Sequence, residues 1–410
     1  MKKIILNMFG WLASQIARKY QVKIIAITGS VGKTTTKEAV FAVLKQVYPA
    51  QRSLYNTNTE WGITASVIDP GFEPSFTESG KARISLTQLI SLKFKGLWKL
   101  ATKQNYPAVL VLEMGADRPN DIRWFNRWFD YDVAVITIIG DSHLEFYKNQ
   151  DELTAEKLSL AKKLKPRGLA VINGECERCQ GLTLRDLQRK VTFGWNEQNN
   201  YSVKMAGESN YILHSPSGSI EVKLPVGRQF VPAALVAYAV GEEFGLTVEQ
   251  IKKGLREFQP INGRFQIQHT PMWMIIDDTY NASPESMRLA LTSLKDVARG
   301  RKVAILGGMR ELGSATEAGH RQTGQWAAKQ TDLLIVVGKE GELIAEGALL
   351  SGMLRENVVR IPWDENNPSV DSAISQILPI LEEGDTVLVK ASRALHLDRL
   401  VSRLVAQKKI

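Results

Sequence analysis

The chain has 410 residues, which excludes a stapled mini-protein and predicts two to three domains of about 150 residues each. Apolar residues make up 44% of it and charged residues 23%, a balance typical of globular rather than disordered proteins. The net charge is +9, and its source has to be located in the sequence. No apolar run reaches the length of about 20 residues that a membrane-spanning helix requires, so any membrane contact is expected at the surface.

Residues 1–21 predict an amphipathic helix rather than a signal peptide. Its apolar side chains recur at three- and four-residue spacing: Ile4, Ile5, Met8, Phe9, Leu12 and Ile16. Basic residues lie near both ends of this segment. We interpret the helix as packed on its own domain, with a membrane-surface helix as the alternative.

A phosphate-binding loop is the strongest local motif. A strand pattern over 22–27 leads into the turn Thr28-Gly-Ser-Val-Gly-Lys-Thr-Thr35, and a helical pattern follows over 37–44. The glycines let backbone N–H groups turn toward phosphate oxygens, the lysine can reach the β- and γ-phosphates, and a threonine hydroxyl can bind Mg²⁺. The predicted ATP contacts are Gly29, Ser30, Val31, Gly32, Lys33, Thr34 and Thr35.

Two further strand patterns end in residues suited to metal binding. The run over 109–116 places Glu113 at a strand end, and the run over 133–140 leads to His143. Ligands of open α/β sheets bind at the carboxyl ends of parallel strands. Taken alone, the two residues are an ordinary strand-end carboxylate and a loop histidine. Beside a phosphate loop they predict ligands of Mg²⁺.

The C-terminal part predicts a second sheet. Short apolar runs over 274–277, 302–306, 332–337 and 386–390 are separated by helical patterns such as 284–297. The predicted fold is therefore α/β. It has an N-terminal helix (1–21), a phosphate-loop central domain with a mostly parallel sheet (22–260), and a Rossmann-like C-terminal domain (261–410).

Seven ordered motifs resemble those of the Mur ligases, the ATP-dependent amide ligases of peptidoglycan precursor synthesis. These are ITGSVGKTTTK, NTNTEWG, LEMGA, DSHLEFY with a lysine fourteen residues after the histidine, DDTYNASPESM, GGMRELG and VLVKASR. The motifs DDTYNASPESM and GGMRELG favour the branch of this family that adds D-alanyl-D-alanine. The resemblance implies a carbon–nitrogen ligase that forms an acyl phosphate and adds D-alanyl-D-alanine to a UDP-N-acetylmuramoyl-tripeptide. The alternatives are another acid–amino acid ligase, of the polyglutamate or folate type, and a non-catalytic nucleotide-binding partner subunit.

The resemblance also implies roles for single residues. Lys33 would contact the γ-phosphate, Thr34 and Glu113 would bind one Mg²⁺, and His143 would help hold a second. Lys157 matches a lysine that such enzymes carbamylate with CO₂, its alternative being a solvated helix lysine. The implied nucleotide contacts outside the loop are Arg264, Asp278 and Asn281. The implied substrate contacts are Asn56, Asn58, Glu311, His320, Lys390, Ser392 and Arg393, with surface charges as the alternative for those in the C-terminal part.

The sequence departs from that branch at its start, because only about twenty residues precede the first predicted strand. Members of the branch carry a uridine-binding domain before the phosphate loop. The resemblance therefore implies either that uridine recognition has been rebuilt elsewhere or that the carboxylate substrate differs from the usual one.

A basic insert over about 70–105 explains most of the net charge. Between residues 81 and 103 it has six basic side chains and no acidic one: Lys81, Arg83, Lys93, Lys95, Lys99 and Lys103. Leucines, isoleucines and aromatic residues alternate with them. We expect this segment, with or without the N-terminal helix, to lie on an anionic membrane surface or to hold an anionic, lipid-linked substrate. The alternative is a basic helix that covers the sheet.

The remaining predictions concern partners and location. Small-molecule substrates are expected, and nucleic acid is not, because no stacking platform or reading helix is evident. We expect a monomer in the cytoplasm, with the inner face of the membrane as an alternative location, and a role in cell-wall biogenesis, cell shape and division. Cys176 and Cys179 are interpreted as incidental surface thiols of a protein from a reducing compartment.

Overall fold

The computed structural model describes residues 2–54, 59–76, 82–207, 209–365 and 369–407. The chain forms two compact units. The first comprises 1–139, 149–224 and 231–259, and the second comprises 140–148, 225–230 and 260–410. The longest segment of the second unit begins at residue 260. Two short segments earlier in the chain, 140–148 and 225–230, also belong to the second unit. The sequence did not indicate this.

The first unit contains eight helices and eleven strands in its described residues. In chain order they are α1 (Lys2–Lys19), β1 (Lys23–Thr28), α2 (Lys33–Leu44), β2 (Ala50–Arg52), α3 (Glu60–Ile68), β3 (Ser75–Phe76), β4 (Ala82–Arg83), α4 (Leu86–Ala101), β5 (Val109–Glu113), α5 (Asp121–Phe125), β6 (Tyr131–Ile136), α6 (Gln150–Leu158), β7 (Leu164–Asn173), β8 (Arg189–Phe193), β9 (Ser202–Met205), β10 (Asn210–Ser215), β11 (Gly218–Lys223), α7 (Val231–Glu243) and α8 (Val248–Glu257). Short 3₁₀ turns join several of them.

The central sheet is parallel throughout, in the order β2-β5-β1-β6-β7-β8. Its inner strands are almost continuously apolar because both of their faces are covered. Ile27 pairs with Glu113 and Thr28 with Ile136, so β1, β5 and β6 end at the same edge. A small antiparallel sheet, β11-β10-β9, and a β3-β4 pair complete the unit.

The N-terminal helix α1 packs on its own unit, as its main interpretation predicted. Leu6, Phe9, Leu12 and Ile16 are buried in the core of the first unit. Ile4, which the sequence placed on the same stripe, is exposed, and so is Met8. The helix therefore has a buried apolar stripe and a second, outer one. Among the described residues, none of the helices has both the length and the apolar character required to cross a membrane.

The basic insert contains the helix α4. Its inner side packs on the core through Leu92 and Gly96. The side chains of Leu86, Phe94 and Trp98 lie on the other side and are exposed. The helix covers the unit and presents an apolar outer face at the same time. Lys81, at the start of the basic segment, lies outside the described residues.

The second unit contains five helices and six strands in its described residues. In chain order they are β12 (Gln266–His269), β13 (Met274–Asp277), α9 (Pro284–Val297), β14 (Lys302–Gly307), α10 (Thr316–Gln330), β15 (Leu333–Val337), α11 (Gly341–Leu350), β16 (Val358–Ile361), α12 (Val370–Ile377), β17 (Thr386–Lys390) and α13 (Asp398–Val405). The sheet order is β12-β13-β17-β14-β15-β16, parallel except for the β12-β13 pair. The predicted α/β class, with a mostly parallel central sheet and a second Rossmann-like sheet, is confirmed.

The prediction for the two cysteines is wrong. Cys176 and Cys179 are buried rather than exposed, and they form a disulfide within the turn after β7. The backbone N–H of Ile139 points at the sulfur of Cys176, 3.4 Å away. The turn lies against the core of the first unit, so tertiary packing buries residues that the local pattern marked as surface.

Candidate active site

Two glycines determine the shape of the phosphate loop between β1 and α2. Gly29 has φ +144°, and a Cβ atom there would lie 2.0 Å from the Thr137 hydroxyl oxygen. Gly32, just before α2, has φ +84°. Both values lie in the region that favours glycine. The glycine spacing in the sequence therefore reflects a backbone requirement of this turn.

Hydrogen bonds fix the loop against the end of β6. The backbone N–H of Ser30 donates to Ile138 O at 2.6 Å, and the Thr137 hydroxyl donates to Val31 O at 2.6 Å. The Lys33 ammonium folds over the loop and donates to Gly29 O at 2.8 Å. Thr35 follows in the first turn of α2 and is half-buried. The first unit thus holds all seven predicted loop residues in one turn at a helix N-terminus, a geometry suited to phosphate.

Thr34 and Glu113, which the resemblance assigned to one Mg²⁺, meet at the carboxyl edge of the central sheet. The Thr34 hydroxyl donates to Glu113 Oε1 at 3.1 Å, and both side chains are buried. Glu113 Oε2 is buried and accepts no hydrogen bond. A buried carboxylate that accepts no hydrogen bond on one oxygen from the described residues, next to a threonine hydroxyl, is a donor set that fits Mg²⁺.

Thr34 and Glu113 would make up only part of a magnesium shell. Within the described ranges, no group of three or more His, Cys, Asp or Glu side chains is arranged to hold a metal ion. Mg²⁺ at nucleotide sites is commonly held by one or two protein oxygens together with phosphates and water. The pair of Thr34 and Glu113 suits that kind of site.

Lys157 is fully buried near the end of α6, and its ammonium donates to Gly29 O at 3.3 Å. The solvated-lysine alternative is therefore wrong. Lysine is rarely buried, because removing its charge from water is costly. Its position places the side-chain nitrogen against the phosphate loop.

Lys37 is a further buried lysine at this site, and sequence reasoning missed it. Its Nζ lies 3.6 Å from Glu113 Oε2 and 3.5 Å from Glu38 Oε1. Lys37 follows Lys33 by four residues, so both lie on the same side of α2. That spacing was the available signal, but the helical pattern alone does not show that this side is buried.

The second unit brings Asp278 and Lys390 into contact. Lys390 ends β17 and is buried, with its Nζ 2.7 Å from Asp278 Oδ2. Burial lowers the pKa of the Lys390 ammonium, and the Asp278 carboxylate opposes that shift. Burial also raises the pKa of Asp278, against the effect of Lys390. The pair is a desolvated polar centre at the carboxyl ends of β13 and β17.

Two other predicted nucleotide contacts lie around this pair. The Asn281 carbonyl oxygen accepts a hydrogen bond from Lys390 at 2.8 Å. The Arg264 guanidinium lies 4.0 Å from the centre of the Tyr280 ring. The structure therefore groups Arg264, Asp278, Asn281 and Lys390 at one edge of the second sheet.

His143 and Glu311 also come together in the second unit. His143 lies in the 140–148 segment, and its Nδ1 is 2.5 Å from Glu311 Oε2. The resemblance assigned His143 to a metal ion and Glu311 to the substrate. It did not predict a contact between the two side chains. Thr34, Glu113 and Lys157 belong to the first unit, whereas His143 belongs to the second.

His320 has a structural role. Its ring is buried, Nε2 accepts a hydrogen bond from the Met309 backbone N–H at 2.8 Å, and Nδ1 lies 2.6 Å from Thr316 O. Backbone groups occupy both nitrogens, so the ring has no atom left for a substrate. Burial lowers the pKa of His320. We correct the prediction of a substrate contact here.

The remaining predicted substrate contacts differ in exposure. Ser392 is buried, and its backbone N–H donates to Gly308 O at 3.0 Å. Arg393 is exposed, and its guanidinium lies 3.5 Å from the carboxylate of Asp398. Asn56 and Asn58 lie outside the described residues.

Family models and known proteins match most of the chain. The model of the Mur ligase middle domain matches residues 27–241, and that of the Mur ligase glutamate ligase domain matches 263–393. The UDP-N-acetylmuramoyl-tripeptide–D-alanyl-D-alanine ligase of Bacillus subtilis is 29% identical over 404 residues, which cover 96% of this chain and 78% of that protein.

Solved structures show the same similarity. MurF from Acinetobacter baumannii aligns with a TM-score of 0.77 at 25% identity, over 98% of this chain and 81% of that one. The MurF ligase of Thermotoga maritima in complex with ADP aligns with a TM-score of 0.77 at 24% identity, over 97% of this chain and 82% of that one. The latter similarity is one of fold.

Proposed function

The chain belongs to the Mur ligase family, and from this premise we propose that it adds D-alanyl-D-alanine to a UDP-N-acetylmuramoyl-tripeptide at the expense of ATP. The resemblance stated from the sequence is thereby confirmed. The observation that carries the proposal is the buried arrangement at the phosphate loop. Thr34, Glu113 and Lys157 all meet that loop within the first unit.

The first chemical step is attack of the substrate carboxylate on the γ-phosphorus of ATP. A bond forms between a carboxylate oxygen and phosphorus, the bond to the β-phosphate oxygen breaks, and ADP leaves. Two anions must approach each other, so the loop N–H groups and the Lys33 ammonium hold the phosphates and offset their charge. The product of this step is an acyl phosphate.

Thr34 and Glu113 are the residues that would hold Mg²⁺. When bound, the ion neutralises phosphate charge and polarises the phosphoryl oxygens. The Lys37 ammonium lies 3.6 Å from Glu113 Oε2, so its positive charge offsets the negative charge of that carboxylate. We place Lys37 as a positioning residue for Glu113. His143 is kept as the proposed ligand of a second ion.

Lys157 is the proposed site of carbamylation. Its uncharged amine would attack the carbon of CO₂ and release a proton, which leaves a carbamate anion on Nζ. Burial supports this proposal, because it disfavours a full positive charge on the side chain. The anion would turn a cation beside Gly29 into an oxygen ligand for Mg²⁺.

The second step is attack of the dipeptide amine on the acyl carbon. The amide bond forms, inorganic phosphate leaves and the amine loses a proton. Cationic groups that held the phosphate also suit the developing oxyanion, and no side-chain nucleophile is needed. In the second unit, we assign Arg264, Asp278 and Asn281 to the nucleotide.

The substrate contacts proposed in the second unit are Glu311, Lys390, Ser392 and Arg393. Lys390 and Ser392 lie at and just beyond the carboxyl end of β17, where open α/β sheets bind their ligands. His320 is excluded from this set, because backbone groups occupy both of its ring nitrogens.

The proposed setting is the cytoplasm, where ATP is available to such a ligase. A monomer suffices for the chemistry, because every proposed contact comes from one chain. Adding the dipeptide would place the protein in cell-wall biogenesis and, through it, in cell shape and division.

A paired-substrate assay tests the function. The purified chain is incubated with ATP, Mg²⁺, a UDP-N-acetylmuramoyl-tripeptide and D-alanyl-D-alanine, while phosphate release and product mass are measured. We expect a product heavier than the acceptor by one dipeptide less one water, and no product from Lys33→Ala. Parallel reactions with folate and L-glutamate test the polyglutamate alternative. Phosphate release only with the folate pair, or with no pair, would reject the proposal.

A further inference from the structure

Two helices of the first unit, α1 and α4, carry apolar side chains on their outer sides as well as on their buried sides. Ile4 is 74% exposed, Phe94 67% and Trp98 62%. Eight such side chains form what we call the outer apolar face: Ile4, Met8, Trp11, Leu86, Ile90, Phe94, Leu97 and Trp98. They make up more than half of the exposed large hydrophobic side chains in the described ranges. Such a concentration marks an interaction surface.

The outer face follows a helical spacing of its own. In α4, Leu86, Ile90, Phe94 and Trp98 follow one another at four-residue intervals. Leu92 and Gly96, which pack on the core, occupy other positions of the helix. The outer residues are therefore not required for packing within the unit. A helix that served only to cover the sheet would carry polar side chains at these positions.

The two helices are held to each other. A Cβ atom on Gly96 would lie 2.4 Å from Cδ2 of Leu12, so α4 approaches α1 very closely there. The Lys19 ammonium, at the end of α1, donates to Lys99 O at 2.9 Å and to Leu100 O at 2.8 Å. These carbonyl groups belong to the last turn of α4, where helical partners are missing. The outer apolar face therefore lies on two helices in fixed contact.

The same helices are basic. α1 and α4 contain seven lysines and arginines and no aspartate or glutamate. Lys3 and Arg18 are exposed on α1. Lys93 is exposed on α4, three residues after Ile90 and four before Leu97, so it borders the outer apolar face.

One acidic residue offsets part of this charge. The Asp69 carboxylate lies 2.6 Å from the Lys95 ammonium and 3.5 Å from the Lys99 ammonium. Seven positive charges less the charge of Asp69 leave six on the helix pair. This excess of positive charge would complement an anionic partner.

We propose that the outer apolar face binds the surface of an anionic lipid bilayer, with α1 and α4 lying in the interfacial region. Apolar stripes bordered by lysine and arginine are typical of interfacial helices, and tryptophan, here Trp11 and Trp98, favours the headgroup level. Each lysine or arginine near an anionic leaflet adds to the attraction.

Two other occupants fit the face less well. A second copy of the chain would bring two strongly basic faces together, because a two-fold interface pairs like with like. A protein partner would need pockets for the exposed rings of Phe94 and Trp98. A bilayer accommodates such side chains without a matching shape, and its anionic headgroups complement the lysines.

Vesicle flotation of the full chain tests the proposal, with neutral phosphatidylcholine vesicles compared with vesicles of equal parts phosphatidylcholine and phosphatidylglycerol. We expect binding to the anionic vesicles that weakens at high salt. Phe94→Gln with Trp98→Gln should reduce partitioning at least about tenfold, because two aromatic side chains lose apolar burial. Lys3→Glu with Lys93→Glu should reduce it through charge alone.

A matched control uses exposed leucines of the second unit. Leu350→Gln with Leu354→Gln removes side chains that are 81% and 60% exposed, and vesicle binding should not change. All variants should keep the thermal midpoint and the ligase activity of the unaltered chain in solution. The proposal would be overturned if the chain did not bind vesicles or bound neutral and anionic vesicles equally. It would also be overturned if neither the Phe94→Gln, Trp98→Gln variant nor the Lys3→Glu, Lys93→Glu variant bound less than the unaltered chain. A dimer that dissociates on Phe94→Gln, with no vesicle binding, would overturn it in favour of self-association.

Discussion

The Lys157 ammonium lies 3.3 Å from the Gly29 carbonyl oxygen, with its side chain fully buried. This contact joins the end of α6 to the phosphate loop within the first unit. A lysine that the local sequence would place in solvent is instead in contact with the turn that is expected to hold the phosphates of ATP.

Lys157→Ala should reduce ligase activity by about 100-fold or more, because the proposed carbamate anion would be lost from a buried site. Short-chain carboxylic acids should restore part of the activity by entering the space that the side chain leaves. Activity with and without added acetate is the measurement. Lys162→Ala, at an exposed position just after α6, is the matched control and should have no effect. Undiminished activity of Lys157→Ala would remove this residue from the site.

Thr34 and Glu113 should control the Mg²⁺ requirement. Thr34→Val removes the hydroxyl at the centre of the proposed donor set, whereas Thr34→Ser retains it. We expect the Mg²⁺ concentration needed for nucleotide binding to rise at least about tenfold for Thr34→Val and for Glu113→Gln. It should change little for Thr34→Ser. Titration of Mg²⁺ against a fluorescent ATP analogue measures this directly, and equal requirements in Thr34→Val and Thr34→Ser would contradict the assignment.

Lys37 should contribute more to stability in the protein without nucleotide than in the complex with Mg²⁺ and nucleotide. Lys37→Met leaves the buried Glu113 carboxylate without the cation 3.6 Å away. The expected loss in unfolding free energy is about 3 kcal/mol. Because Mg²⁺ would supply the missing positive charge, Mg²⁺ with ADP should raise the thermal midpoint more in this variant than in the unaltered chain. Lys37→Arg keeps the charge and serves as the control. Identical ligand-induced shifts in all three proteins would show that Lys37 does not act on Glu113.

His320 should make stability depend on pH. Burial lowers its pKa below the ordinary value of 6.5. Between the lowered pKa and 6.5, the unfolded chain binds more protons than the folded one, so stability rises with pH in that window. The contribution is complete above 6.5 and is lost as the pH falls toward the folded pKa.

Thermal midpoints across this pH range test the histidine prediction. The unaltered chain should lose stability with falling pH more steeply than His320→Asn, which has no titrating ring. A constant difference between the two proteins from about pH 7 to about pH 5 would contradict the effect. Other histidines serve as background in both proteins.

The sequence predicted the elements well where local signals were strong. The helix Pro284–Val297 and the strand Met274–Asp277 have the predicted bounds. Ser283 caps that helix and Pro284 begins it, so its start was visible in the sequence. The phosphate loop was equally clear, since glycine spacing, strand and helix all agreed.

The burial of Lys157 and the pairing of Cys176 with Cys179 could not be predicted in the same way. Helix α6 is rich in charged residues, and its leucines, Leu153 and Leu158, are too few to define a buried side from the sequence alone. Its environment comes from Gly29, which is 128 residues away in the chain. Local patterns indicate which residues form a helix, but contacts between distant segments decide which side of it is buried.

The central claim is that the chain forms an amide through an acyl phosphate. Following an oxygen atom of the acceptor carboxylate through the reaction tests this claim most directly. The acceptor tripeptide is labelled with ¹⁸O at both oxygens of its reacting carboxylate and ligated to D-alanyl-D-alanine in the presence of ATP and Mg²⁺. If the chain forms an acyl phosphate, one ¹⁸O passes into each inorganic phosphate released, and mass spectrometry of the phosphate detects it. Unlabelled phosphate alongside amide formation would contradict the acyl-phosphate route, and the absence of labelled phosphate and of amide product together would contradict ligase function.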